Sequence, residues 1–542
     1  MMERAVLGLD FGTLSVRCLT VDADTGEILG EAEYAYPAGV MEKALPDGTA
    51  LPEGFALADP EDAVSGMLRV IPASLERAGI APERVIGLGL DCTSSTVLPL
   101  DAAGVPLCRA EAFRSHPHAW AKLWKHHGAY PQSLRMLETA RRRGEGWLEL
   151  RGGGISCELM LPKALETAEE DPEVWQAAAR YAEMGDYLTQ ALTGLPGRSL
   201  TMAECNSGWQ TPDGYPSEDY WREVSPCTEP VTRKLWGELI PAGGAVGPLK
   251  PEMAARLGLR PGVRVAPALI DSHASALGCG ADRAGDLVAV LGTSACYLMN
   301  APECRGIPGI YSVAFEANAP GLYGYEGGQS CLGNGLDWFV RRCVPGEAHH
   351  RAAEGKESVH ALLSREASRL APGGSGLMAL DWLDGVRTPL MRPDLTGVVV
   401  GLTLQTTPAE MYRAAVESCC YGARRVVSCY GDAGLETKRF LATGGIPGKN
   451  PFLMQTLSDV CGMDVQVCSC GQASALGAAI AGAAASGECG GLKACVNRMA
   501  APPGRTYHPE NAQAYEGLYR RYLALSAAFE QKEGSGLSSI KS

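Results

Sequence analysis

None of the 19 cysteines forms a C-x-x-C pair with another; the closest are Cys419-Cys420 and Cys468-Ser469-Cys470. That excludes a redox or zinc motif of that spacing. Scattered thiols in a long chain point to a reducing compartment, most of them packed as small hydrophobes. No apolar run is long enough to span a membrane. The longest, Ala473 to Ser486, consists mostly of small residues and suits a helix packed closely on a sheet. Positive charge is in deficit: 48 Lys and Arg face 62 Asp and Glu, a net charge of −14. This argues against nucleic acid or an anionic membrane as partner, but not against a nucleotide, which needs only a local cradle of amides and a metal. No secretory signal precedes the first apolar strand, so the expected location is the cytoplasm.

What is present is a chain of 542 residues, long enough for two large domains. Residues 5 to 16, AVLGLDFGTLSV, read as a buried strand running into Asp10, then Gly12-Thr13, then a second strand. A carboxylate beside a core strand is costly unless something compensates it. A phosphate turn supplies a reason: glycine lets the backbone approach an anion, amides point at it, and the acid holds the accompanying cation. The alternative at this point is a plain hairpin turn. Residues 60 to 80 read as an amphipathic helix ended by Gly79. The next strand ends in Asp91, followed by a Ser/Thr cluster. Two helices are expected over 115–200, one around HAWAKLWKHH and one from Pro172 to Gly194. At 263 a buried strand returns and ends in Asp271.

LVAVLGTSACYLMN, 287 to 300, aligns with the first hairpin at an offset of 280 residues, so Gly292-Thr293 falls on Gly12-Thr13. One half looks like a diverged copy of the other. Val290 stands where the first half has Asp10, so only the first half carries the acid for a cation. A helix is expected to open at Thr407-Pro408 with Glu410 in its first turn, and Gly444-Gly445 reads as a glycine turn before another helix.

The order of these pieces, with GVVVGLTLQTTPAEMYRAAVE and TGGIPGKNPFLMQTLSDV, resembles the FGGY family of sugar kinases over nearly the whole chain. GLDFGTLSVRCLTVDADTGE, LWKHH, DSHASALGCGA, GYEGGQSCLGNGLDWF and LDWLDGVRTP are similar to its ribulokinase branch. The resemblance implies an α/β fold of two duplicated ribonuclease-H-like, actin-like domains around a central cleft. It implies a sugar-binding first domain (1–280), a nucleotide-binding second domain (281–530) and a loose tail (531–542). The implied substrates are ATP with Mg²⁺ and a pentulose, L-ribulose foremost, and a homodimer is compatible with the family.

Residue by residue, the resemblance implies that Gly12, Thr13, Gly292 and Thr293 present amides and hydroxyls to the phosphates. Arg17 would lie near the transferring phosphate, and Asp10 would hold Mg²⁺ through water. Gly444 and Gly445 would pass the ribose, and Asn450 would approach the adenine. Asp271 would be the base, with a helix N-cap as its bland reading. Glu326 and Ser94 match pocket residues, and His273 is expected to be structural. One departure bears on the sugar: Trp209-Gln210 stand where ribulokinases have His-Lys, leaving Gln210 in place of a long cation. Another ketose or polyol is therefore the second reading. An actin-like or chaperone-type ATPase is the third. His116, His118, His126 and His127 lack the i, i+4 spacing of a zinc pair.

Overall fold

The computed structural model describes residues 4–226 and 228–530; the tail expected at 531–542 lies outside them. Two seven-stranded sheets organise the chain. In the first, Ala5–Phe11, Ser15–Asp22 and Ile28–Ala35 form an antiparallel meander, and Val85–Cys92 runs parallel to Ala5–Phe11 on its other side. Arg264–Val265 and Leu269–Ile270 add parallel pairs to Val85–Cys92. The second sheet repeats this order. Asp286–Leu291, Ala295–Ala301 and Tyr323–Gln329 form the meander, and Arg439–Thr443 then Val465–Cys468 run parallel beside Asp286–Leu291. The duplication expected from the Gly-Thr offset is therefore present as topology. The two meander turns differ by one residue: Gly12 N–H donates to Ser15 O, whereas Gly292 N–H donates to Ser294 O, each at 3.0 Å.

The inner strands are nearly continuous apolar runs because both faces are covered. Helix Pro60–Ala78 covers one face of the first sheet, capped by Asp59 and ended by Gly79 in the left-handed conformation. The other cover comes from far along the chain. Ala475, Ala479, Ala483 and Ile480 of helix Ala473–Ala485 share a core with Val6, Leu19, Val21 and Ile86 of the first sheet. Conversely Ala276, in helix Asp271–Gly278, and Cys279 just after it pack with Val288, Leu298 and Leu441 of the second sheet. Each sheet thus takes a covering helix from the other half of the sequence. The approach is so close that a Cβ on Gly8 or Gly89 would stand 2.0 or 1.9 Å from the Ala475 or Ala478 carbonyl oxygen. This is why glycine recurs in the strands.

Two expected helices are corrected. Residues 117–127 form a short 3-10 turn, Pro117–Ala119, and a strand, Ala121–Lys122, which pairs with Leu57–Ala58 and Val97. Buried strand pairing outweighs the helical spacing of Trp120 and Trp124. The span 172–194 is broken into helix Pro172–Ala177, strand Arg180–Glu183 and helix Met184–Thr193, because Arg180–Glu183 pairs with Val97–Leu100. Helix Pro408–Asp432 begins with the expected capping box, Thr407 and Glu410 bonding reciprocally. Among the described residues no helix is long and apolar enough to cross a membrane.

Candidate active site

The ends of the parallel strands carry the acids. Asp10 is paired in register with Asp91, and Asp91 with Leu269, two residues before Asp271. Asp271 opens helix Asp271–Gly278, so it stands where the first sheet hands over to a helix of the second. Ser272 N–H donates to its Oδ1 at 2.7 Å, and Ser275 Oγ–H donates to its backbone oxygen at 2.9 Å. The N-cap position itself is Ile270. The helix-cap reading is therefore corrected: Asp271 is the first residue of the helix, not its cap, and one of its carboxylate oxygens accepts only from the neighbouring Ser272 N–H.

Burial, then the charge of Asp10, raises the Asp271 carboxyl to about 7. Burial also raises Asp10, against the pull of Asp91 and Arg17. Asp91 is fully buried and pushed well up by burial and by Asp10 and Asp271. Beyond Asp10, neither Asp91 carboxylate oxygen has a hydrogen-bond partner. Two adjacent carboxylates, the buried one with no partner but the other, make an all-oxygen donor set short of positive charge. That suits Mg²⁺, which takes one or two carboxylates and fills its shell with water and phosphate oxygens. Among the described residues no three His, Cys, Asp or Glu side chains are grouped to hold a metal by themselves. His116, His118, His126 and His127 go separate ways. His116 meets Asp171, His126 meets Glu166 and His127 meets Glu158, while His118 packs on Phe55.

Around the first turn, Thr13 Oγ1 accepts a hydrogen bond from Trp124 Nε1 at 3.1 Å. Arg17 is held by Glu31 and Glu33 at 3.1 Å each, lies 3.8 Å from Asp10, and donates to Gln472 Oε1 at 2.7 Å. Gln472 immediately precedes helix Ala473–Ala485, so this bond joins the two halves. On the second sheet, Gly444 has φ +101°, and a Cβ there would stand 2.5 Å from the Leu291 oxygen. Its turn therefore nests against the strand end that carries Gly292. Thr293 O accepts from Asn334 N–H and Gly292 O from Gly333 N–H, each at 3.1 Å. A Cβ on Gly445 would meet nothing within 4 Å, so the turn is open there to an approaching ligand. Asn450 caps helix Pro451–Cys461: its Oδ1 accepts from Leu453 N–H at 3.0 Å and its Nδ2 donates to Tyr412 Oη at 3.4 Å. A groove of about 570 Å³ beside it is lined by Lys449, Pro451, Phe452, Ser364 and Arg505.

Glu326 comes from strand Tyr323–Gln329, and its Oε2 is 3.2 Å from His273 Nε2. Burial would raise Glu326, but bonding to His273 holds it below the usual carboxylate range. Glu326 is near enough to Asp271 to raise it further. Ser94 Oγ–H donates to Asn206 Oδ1 at 2.8 Å. Gln210 is turned elsewhere, its amide donating to Trp147 O at 3.4 Å. Asp271, Glu326, Asp10 and Asp91 are thus brought together, whereas among the described residues no hydrogen bond joins Gln210 to them. The sequence leaves Asp91 without a role; LWKHH and LDWLDGVRTP contain Trp124 and Arg387, but nothing in them shows the Trp124–Thr13 bond, the Arg17–Gln472 bond or the Arg387–Glu158 pair (3.3 Å), which bridges the halves. Only register and long-range packing reveal those.

Two duplicated sheets with glycine turns at matching strand ends, and a buried group of carboxylates between them, make up the actin-like ATPase fold. Residues 287–486 match the FGGY family of carbohydrate kinases, C-terminal domain. Ribulokinase from Anoxybacillus flavithermus is 36% identical, covering 100% of this chain and 97% of its own. That from Mycolicibacterium smegmatis is 39% identical, over 96% and 93%. Among solved structures, xylulose kinase from Rhodospirillum rubrum has a TM-score of 0.79 at 24% identity, covering 97% of this chain and 98% of its own. Ligand-bound xylulose kinase from Lactobacillus acidophilus has a TM-score of 0.81 at 17% identity, over 99% and 100%. The chain belongs to the FGGY family of carbohydrate kinases, phosphotransferases with an alcohol group as acceptor.

Proposed function

We propose that the chain transfers the γ-phosphoryl group of ATP to the terminal hydroxyl of a pentulose, L-ribulose first, giving L-ribulose 5-phosphate. The observation that carries this reading is Asp271, a partly buried carboxylate with one free oxygen, raised to about 7 beside a second acid from the opposite half. A base with a pKa near the working pH both ionises and binds a proton well. The relatives that match over the full chain are ribulokinases, which supports the choice of sugar.

In this reading Asp271 takes the hydroxyl proton as the alcohol oxygen attacks phosphorus. Glu326 accepts from a sugar hydroxyl, with Ser94 shaping the pocket. The backbone and hydroxyls of Gly12, Thr13, Gly292 and Thr293 hold the phosphates, and Arg17 swings from Glu31 and Glu33 toward the anion. Gly444 and Gly445 leave room for the ribose, and Asn450 fixes the helix at the base end. Asp10, backed by Asp91, would hold Mg²⁺, which when bound neutralises phosphate charge. All 18 described cysteines are free thiols, which fits a reducing, cytoplasmic setting.

The test is ADP release from Mg-ATP with L-ribulose, D-ribulose, xylulose and ribitol. Highest kcat/KM for L-ribulose supports the reading, and absence of any sugar-dependent ADP overturns it. Preference for another sugar selects the second reading, which the missing cation at Gln210 favours.

A further inference from the structure

His273 is 2% exposed and lies two residues after Asp271, on the first turn of the same helix. Its Nδ1 is 3.2 Å from the Ala317 carbonyl oxygen, and its Nε2 is 3.2 Å from Glu326 Oε2. A carbonyl oxygen only accepts, so Nδ1 carries a hydrogen. Nε2 then faces a carboxylate, and that contact is attractive only if a proton lies between Nε2 and Oε2. Ala317 and Glu326 both belong to the second half of the chain. The imidazole is therefore a two-point clamp from the helix that begins with Asp271 onto the strand that carries Glu326.

The clamp is reinforced locally. A Cβ on Gly328, on the same face of the strand as Glu326, would stand 3.1 Å from Tyr311 and 3.2 Å from Arg387, so both side chains close over that face. Phe315 N–H donates to Glu204 Oε2 at 2.6 Å, a second bond between the halves close by. Tyr311 and Cys296 also bond Glu326, but from its own half of the chain. His273 is the partner that ties Glu326 to the helix of Asp271.

We propose that His273 is a positioning residue: it holds Glu326 at a set reach from Asp271, so that a ketose anchored on Glu326 presents its terminal hydroxyl, and not an inner one, to the base. This rests on the sugar-kinase reading and deepens it. His273 does not touch the reacting atoms. Its effect is on where the sugar sits.

The experiment compares H273N, H273Q and wild type with the wild type's best sugar. An Asn amide stands near the Nδ1 place and keeps only the Ala317 bond; a Gln amide reaches the Nε2 place and keeps a donor for Glu326. H273N is expected to raise KM for sugar about tenfold, with kcat changed less than about threefold and KM for Mg-ATP unchanged. H273Q is expected to restore KM to within about threefold of wild type. An unchanged sugar KM in H273N, or equal losses in H273N and H273Q, would overturn the clamp. If H273N does not fold, H273L, which removes both bonds while keeping an apolar side chain of similar size, takes its place, and an unchanged sugar KM there overturns the clamp equally. A wild type that phosphorylates no ketose or polyol sinks the sugar-kinase reading instead, a separate outcome.

Discussion

Asp271 is held between two demands. Its buried place, near Asp10, favours the protonated acid, yet proton abstraction needs the carboxylate. For free enzyme, kcat/KM should therefore fall as pH drops through about 7, and bound Mg-ATP should change that limb. A pH profile of initial rates checks this, and a limb near 4 would remove Asp271 from the role. Asp271→Asn should lower kcat by about a thousandfold while leaving nucleotide binding by calorimetry near normal. The same change has a stability signature. A carboxyl raised in the folded state destabilises the fold as pH rises above its unfolded pKa, and the cost is full once pH exceeds the folded pKa of about 7. D271N should therefore raise the Tm of the ligand-free protein by about 2 °C or more at pH 8 and by much less at pH 5. Asp10 and Asp271 can be singled out in the sequence because each ends an apolar run. The pairing of Asp91 with Asp10 and of His273 with Glu326 cannot, since register and contacts between distant segments leave no local pattern.

At the scale of elements, the meander hairpins and the capping box of helix Pro408–Asp432 are readable because their signals are local: apolar runs, Gly turns, Thr407 with Glu410. Thr407→Ala should cost about 1 kcal/mol in denaturant unfolding. Spacing misleads where tertiary pairing overrides it. Arg180–Glu183 is a strand because Val97–Leu100 is waiting beside it, although the residues on either side are helical. The close seam between helix Ala473–Ala485 and the first sheet is legible only as composition; nothing in a run of alanines says which sheet it covers. Gly89→Ala tests that seam. Its added methyl meets the Ala478 oxygen at 1.9 Å, so backbone must shift, and a loss of about 2 kcal/mol or more is expected in thermal or denaturant unfolding.

At the scale of the molecule, the halves are tied by polar bonds as well as by the helical seam: Arg17 to Gln472, Arg387 to Glu158, His273 to Glu326. Closure of the two lobes on sugar and nucleotide should shrink the radius of gyration measurably in solution scattering, and exclude water from the transferred group. An unchanged curve with both substrates bound would count against closure. The exchange of covering helices sets a further expectation. Residues 1–280 expressed alone should be poorly soluble, because Val6, Leu19 and Ile86 lose the apolar cover they need, and extending the chain to residue 530, which restores that cover and completes the second core, should restore solubility.

That exchange also bears on birth at the ribosome. The first sheet is complete only with Leu269–Ile270, about halfway along the chain, and one of its faces still waits for Ala473–Ala485, made much later. Through that interval a nascent chain carries an unfinished apolar wall, so complete folding is expected only once most of the chain has been made, and slower synthesis of the later half should lengthen the exposure to aggregation.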